Sequence, residues 1–123
     1  VTSIESSTVQ LVDFEQIDCL LDAAGRDGVN EILAAFWKST DDLSERLGTQ
    51  IAGRDLIEAA RTSHAVKGSA ANVGAQLLAS VAKDVENCCK SGDADGALAA
   101  LQRLLFVYRD TRAALTDRVA AFG

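Results

Sequence analysis

The 123-residue chain holds one histidine, and the residues around it are the ones best suited to chemistry. It stands in Arg61-Thr62-Ser63-His64-Ala65-Val66-Lys67-Gly68-Ser69-Ala70-Ala71-Asn72-Val73-Gly74-Ala75. Helical positions i, i+3, i+4 and i+7 share a face, which gathers His64, Lys67, Gly68 and Ala71. Ile57 and Ala60 extend that face toward the N-terminus, and Arg61 lies one turn before the histidine. Ala59, Thr62, Val66, Ser69, Ala70 and Val73 point the other way, where they can pack into a core. An unperturbed imidazole titrates at about pH 6.5, so the neutral ring is available as a nucleophile at pH 7. It can attack a phosphoryl group in line, a reaction that needs positioning and charge neutralisation more than covalent help. Lys67 would place a positive charge beside any anion on the ring. Gly68 costs the helix about 1 kcal/mol relative to alanine. A bare backbone at that point lets another molecule approach closely. These residues define a candidate nucleophile without naming its reaction. The competing reading is an ordinary surface or packing histidine.

The elements that must hold this segment are helices. Alanine and leucine abound and proline is absent, which favours an all-α chain. A short helix is predicted over 13–24, capped by Asp13 and ended by Gly25. A long one follows over about 27–52, with Val29, Leu33, Phe36, Leu43 and Leu47 as its apolar stripe, Thr40 interrupting it and Trp37 partly exposed. The histidine helix runs from Asp55 to about Asn72 and stops at Gly74. The next spans about 75–91 on Leu78, Val81, Val85 and Cys88, with Cys89 at the core edge. The last, capped by Asp93, reaches about Ala121 on Leu98, Leu101, Leu105, Tyr108, Leu115 and Val119. Short connections favour antiparallel neighbours. The expectation is an up-down-up-down four-helix bundle with a short additional N-terminal helix. Residues 1–12 read as a flexible lead-in and 13–123 as the domain.

Composition narrows the function classes. Net charge is −6, with no cluster of Lys and Arg to neutralise phosphates, so neither nucleic acid nor an anionic membrane is an expected partner. No apolar run approaches the roughly 20 residues of a membrane span. Val1 to Gln10 lacks the basic start and apolar stretch of a signal peptide. Three cysteines, Cys19, Cys88 and Cys89, make an odd count that argues against a secreted disulfide framework, and a cytoplasmic protein is expected.

The segment from His64 to Ala75 resembles the signature of the histidine phosphotransfer (HPt) family, His-x-x-Lys-Gly-Ser followed by small residues and Gly-Ala. The flanking stretches Leu20 to Leu47 and Leu78 to Leu104 are similar as well, so the resemblance covers most of the chain. It implies a four-helix bundle whose exposed His64 takes a phosphoryl group from one receiver aspartate and passes it to another. It implies a phosphoryl carrier without its own ATP-dependent kinase activity, and the chain holds no phosphate-cradling glycine-rich loop. No cofactor is expected; Mg²⁺ would belong to the partner receiver domain. The implied partners are response-regulator receiver domains and a hybrid sensor histidine kinase, met by a monomer.

Residue by residue, Lys67 matches the lysine near the phosphohistidine and Gly68 the glycine that permits docking. Ile57, Ala60, Arg61 and Ala71 are the candidate docking residues around them. On the following helix Ala79, Lys83, Glu86 and Lys90 share a face. In some family members a glutamine stands where Glu86 stands and contacts the histidine. Glu86 is therefore a candidate for orienting the imidazole, although its charge would repel a phosphoryl group. Lys90 is a candidate for added positive charge, or simply a solvated lysine near a helix end.

Three other readings differ in testable ways. A histidine kinase dimerisation segment has an acidic residue after its histidine and a nearby proline; here Ala65 follows and proline is absent. A non-catalytic helical adaptor would use the face around His64 only for binding. A carboxylate-bridged metal bundle needs two Glu-x-x-His pairs, which one histidine cannot supply, and adjacent Cys88 and Cys89 lack zinc spacing.

Overall fold

Three aspartates start helices where the sequence places them. In the computed structural model, which describes residues 9–122, Asp13, Asp55 and Asp93 each accept a hydrogen bond from the backbone N–H three residues on. Each satisfies a donor that the first helical turn leaves without a partner. The helices that follow are α1 (Phe14–Ala52), α2 (Leu56–Asn72), α3 (Gln76–Lys90) and α4 (Ala94–Ala121). All secondary structure among the described residues is helical. None of these helices is long and apolar enough to cross a membrane.

The segment expected as a helix over 13–24 is the N-terminal arm of α1, and Gly25, at φ 73° and ψ 174°, breaks the helical geometry where that helix was expected to end. Glycine tolerates that positive φ without the steric penalty other residues meet. At the other end of the histidine helix, Gly74 turns the chain at φ 75°, and a Cβ there would lie 3.1 Å from the Asp13 carbonyl oxygen. That carbonyl belongs to a close crossing in which the Asp13 N–H donates to the Gly74 carbonyl at 2.8 Å.

This crossing moves the start of the packed chain. Leu11 and Val12, expected in a loose lead-in, are tied down. Val12 is buried, and the Leu11 carbonyl accepts from the Leu77 N–H. Residues 1–8 of that lead-in lie outside the described residues.

The core lies between the four helices. α2 packs on α1 and α3, and α4 packs on α3 and α1. Val66 and Ala70 of α2, Leu78, Val81 and Val85 of α3, and Leu104 and Leu115 of α4 are fully buried. Each large aliphatic side chain among them contributes about 1.5–3 kcal/mol relative to exposure. Thr40, which interrupts the α1 stripe, is itself fully buried. Two expected stripes need correction. On α4, Leu98 and Leu105 are exposed, because Ala97, Ala100, Leu101 and Leu104 supply the inward face. On α3, Cys89 is buried and Cys88 only half-buried, the reverse of the expectation. The buried face of α3 runs through Leu78, Val81, Ala82, Val85, Glu86 and Cys89, one residue further round than the aliphatic pattern suggests.

Candidate functional site

The histidine helix is anchored by its hidden side. Val66 and Ala70 are fully buried, and Ser63, also buried, donates its hydroxyl to the Ala59 carbonyl at 2.8 Å. The Thr62 hydroxyl reaches Gln50 of α1 and the Glu58 carbonyl. With these groups satisfied inside, the opposite face of α2 is turned outward, and the His64 side chain is 66% exposed. Gly68, one turn on, is exposed, and apart from its chain neighbours and its own helix backbone no atom lies within 4 Å of where its Cβ would be.

The group that organises the surroundings of His64 comes from α3. Glu86 is buried, its side chain only 7% exposed, yet it is charged and well supplied with partners. Its Oε2 lies 3.2 Å from Nδ1 of His64 and 3.0 Å from Nζ of Lys90, and its Oε1 lies 3.4 Å from Nζ of Lys67. Burial pushes the Glu86 carboxyl up. The Lys90 hydrogen bond and the charges of Lys67 and Lys90 outweigh that and hold it below its ordinary range. An ionised carboxylate only accepts hydrogen bonds. Nδ1 is therefore the donor in this contact, and in the neutral form of the ring the lone pair falls on Nε2. Two ammonium groups against one carboxylate leave a net positive charge beside the ring, which removes the objection that Glu86 would repel a phosphoryl group.

Ala60, Arg61, His64, Glu86 and Lys90 line a shallow cavity of about 270 Å³. Ala60, expected on the exposed face, is buried and lines its base, because it sits where α2 meets α3. Ile57, Arg61 and Ala71 are exposed as expected, Ile57 to 73%. Lys83, on the same α3 face, is exposed. A second groove of about 350 Å³ continues from the first over Ala60, Arg61 and Lys90 to Leu56, Ile57 and Cys89. Leu56 and Cys89 had no mark in the sequence beyond being apolar or thiol residues near helix ends. Gln16 was also unmarked; its side-chain amide donates to the Ala71 carbonyl at 2.9 Å and fixes the end of the histidine helix to α1. Among the described residues no cluster of three or more His, Cys, Asp or Glu side chains is placed to hold a metal ion.

The model of the Hpt domain family matches residues 31–122, which include every helix carrying the site. The chain belongs to the Hpt family. Its function is phosphotransfer in a phosphorelay, as a phosphocarrier that works with kinases and receiver domains. Histidine-containing phosphotransfer protein 2 of Arabidopsis thaliana is 23% identical over 107 residues, covering 85% of this chain and 69% of that protein. The fold is similar to that of histidine-containing phosphotransfer protein B from Pseudomonas aeruginosa. That similarity has a TM-score of 0.83 at 20% identity and covers 94% of this chain and all of that one. A histidine-containing phosphotransfer protein from maize gives a TM-score of 0.78 at 25% identity, over 97% of this chain and 91% of that chain. Within the Hpt fold the outward face of α2 and the inner edge of α3 are the elements that bring His64, Lys67, Glu86 and Lys90 together.

Proposed function

We propose that His64 is the phosphoacceptor of this Hpt protein and that Nε2 is the atom that carries the phosphoryl group. The observation that carries the reading is the contact between Nδ1 and the Glu86 carboxylate, which in the neutral ring makes Nε2 the free lone-pair nitrogen, on the side away from Glu86. Nε2 attacks the phosphorus of a receiver's aspartyl phosphate. The N–P bond forms as the P–O bond to the aspartate breaks, and the carboxylate leaves with the bonding pair. The reverse reaction on a second receiver empties the carrier. Lys67 and Lys90 offset the phosphoryl charge, and Glu86 orients the ring. Gly68 keeps the helix bare for the receiver's loops. Ile57, Arg61 and Ala71 form the docking surface, with Ala60 beneath it.

The finer arrangement of the fold belongs to the same reading. Links of three residues, 53–55, 73–75 and 91–93, join the helices, and each helix packs on its neighbours in the chain. This supports an antiparallel up-down-up-down bundle, with residues 14–24 as a short arm ahead of Gly25. The domain is read as 13–123 together with the docked residues Leu11 and Val12. The carrier is a monomer that meets a hybrid sensor kinase and response-regulator receivers in the cytoplasm. It has no ATP-dependent kinase activity, and Mg²⁺ is supplied by the receiver.

Transfer from an aspartyl-phosphorylated receiver domain tests this. One phosphoryl group per chain should appear, lost in acid and retained in alkali, and peptide mapping should locate it on the segment containing His64. An acid-stable label, or a label elsewhere, contradicts the assignment.

A further inference from the structure

Glu86 has chemistry left over once the ring is oriented. An amide at this position could either donate to or accept from the imidazole, so it would leave the tautomer open; a carboxylate can only accept. Glu86 is buried, and three of its roughly four acceptor positions are filled by Nδ1 of His64, Nζ of Lys67 and Nζ of Lys90. The contact to Nδ1 is on the side of the ring opposite the atom that reacts. It can therefore persist when Nε2 bears a phosphoryl group.

We propose that Glu86 keeps the proton on Nδ1 of His64 throughout the phosphoryl cycle, so that the phosphorylated ring departs as a neutral imidazole. The inference rests on His64 being the acceptor. On loading, neutral imidazole attacks through Nε2, and the product is an Nε2-phosphoryl imidazolium with its Nδ1–H on Glu86. On unloading, a carboxylate oxygen of the next receiver attacks phosphorus. The N–P bond breaks, and its electron pair returns to Nε2. The product is again neutral imidazole with Nδ1–H, and no proton crosses to solvent in either direction. A ring that lost the Nδ1 proton would have to leave as an imidazolate, a far poorer leaving group. Glu86 is thus a positioning residue that sets how readily the carrier unloads.

The charged groups facing the ring decide the sign. α2 supplies Lys67 and Arg61, and α3 supplies Glu86 and Lys90. α1, the other element packed on α2, meets it through Gln50 and Thr62 and shows no charged contact to His64 among the described residues. Arg61 is paired with Glu58 of its own helix, so Glu86 is the anion that contacts Nδ1 and offsets Lys67 and Lys90. Removing its charge leaves those two lysines unopposed and releases the proton at lower pH. Removing Lys90, which shares Oε2 with the ring, works in the opposite direction.

The experiment phosphorylates the full chain with the small-molecule donor phosphoramidate and follows the phosphohistidine ³¹P resonance against pH. In Glu86→Gln the inflection should fall by about one pH unit or more, the usual effect of one adjacent opposite charge. In Lys90→Gln it should rise. Discharge to a receiver, measured at a pH above both inflections, should be about tenfold slower in Glu86→Gln, matching one unit of proton occupancy. Lys90 is exposed and Gln is isosteric with Glu, so both variants should keep the fold, which circular dichroism verifies. Coincident inflections in parent and Glu86→Gln, with His64 phosphorylated, overturn the inference alone. Failure of phosphoramidate to modify His64 overturns the acceptor assignment, and this inference with it.

Discussion

Nδ1 of His64 on α2 and Oε2 of Glu86 on α3 are 3.2 Å apart, one side chain 66% exposed and the other 7%. An open imidazole ring is thereby held by a carboxylate that belongs to the interior. The carboxylate is tolerated inside because two lysines reach it from outside, Lys67 from the same helix as the ring and Lys90 one turn along α3. A buried charge without such partners would be strongly disfavoured.

That arrangement makes the fold sensitive to acid through Glu86. Its folded carboxyl titrates below its ordinary value of 4.5, so pairing adds stability above that value and loses it as pH falls through the lowered one. Glu86→Gln should be less stable than the parent at neutral pH, and the gap should narrow as pH falls below the ordinary carboxyl value of 4.5 and through the lowered one. Urea midpoints for both proteins at neutral and acid pH measure it. A gap that stays constant with pH would show that Glu86 acts by shape and not by charge.

Lys67 should contribute to transfer more than to folding. Loss of a charge-assisted contact costs about 1.5–3 kcal/mol, and partial exposure puts this one at the low end. Lys67→Ala should slow phosphotransfer roughly tenfold, since 1.36 kcal/mol is a factor of ten. Its melting temperature should fall only modestly, because Lys90 still pairs with the buried Glu86. Undiminished transfer with several receivers would make Lys67 a bystander.

Gly68 separates a docking role from a merely tolerated glycine. Apart from its chain neighbours and its own helix backbone, nothing lies within 4 Å of its missing Cβ, so alanine fits without strain. Gly68→Ala should stabilise the fold by about 0.4–1 kcal/mol. Gly68→Gln should also fold at least as well, because glutamine is a good helix former. It should nevertheless bind receivers more weakly and accept phosphoryl groups much more slowly. Higher stability with full transfer would remove Gly68 from the docking surface.

Much of this was legible in the sequence, and the misses share a cause. Asp13, Asp55 and Asp93 marked helix starts because short acidic side chains reach the open N–H groups. The i, i+3, i+4 rule grouped His64, Lys67 and Gly68 because it depends only on helix geometry. Burial was harder to read, since alanines supply much of the inward face. On α4, Ala97 and Ala100 turned the helix so that Leu98 and Leu105 face out. On α2, Ala60 went under the site and Ser63 went inside, its hydroxyl satisfied by the Ala59 carbonyl. On α3 the same rotation exchanged Cys88 and Cys89. It also drew Glu86 inward, which a hydrophobic pattern cannot foresee for a glutamate. The readable signal was Lys90 four residues after Glu86, the spacing of a helical ion pair.

The proposal that the carrier has no kinase activity of its own is checked with ATP alone. The purified chain with ATP and Mg²⁺ should remain unlabelled, because its sequence holds no glycine-rich loop of the kind that cradles a nucleotide's phosphates. Robust self-labelling would reveal a catalytic site outside the one described.

The most direct measurement is transfer to His64→Gln. Glutamine should leave the helices intact, because the His64 side chain is mostly exposed and its helix is anchored by Val66 and Ala70. Parent and variant, matched by circular dichroism, are incubated with the same phosphorylated receiver. The parent should gain an acid-labile label and the variant none, while the variant still binds the receiver. Persistent labelling of the folded variant would contradict the central claim that His64 carries the phosphoryl group.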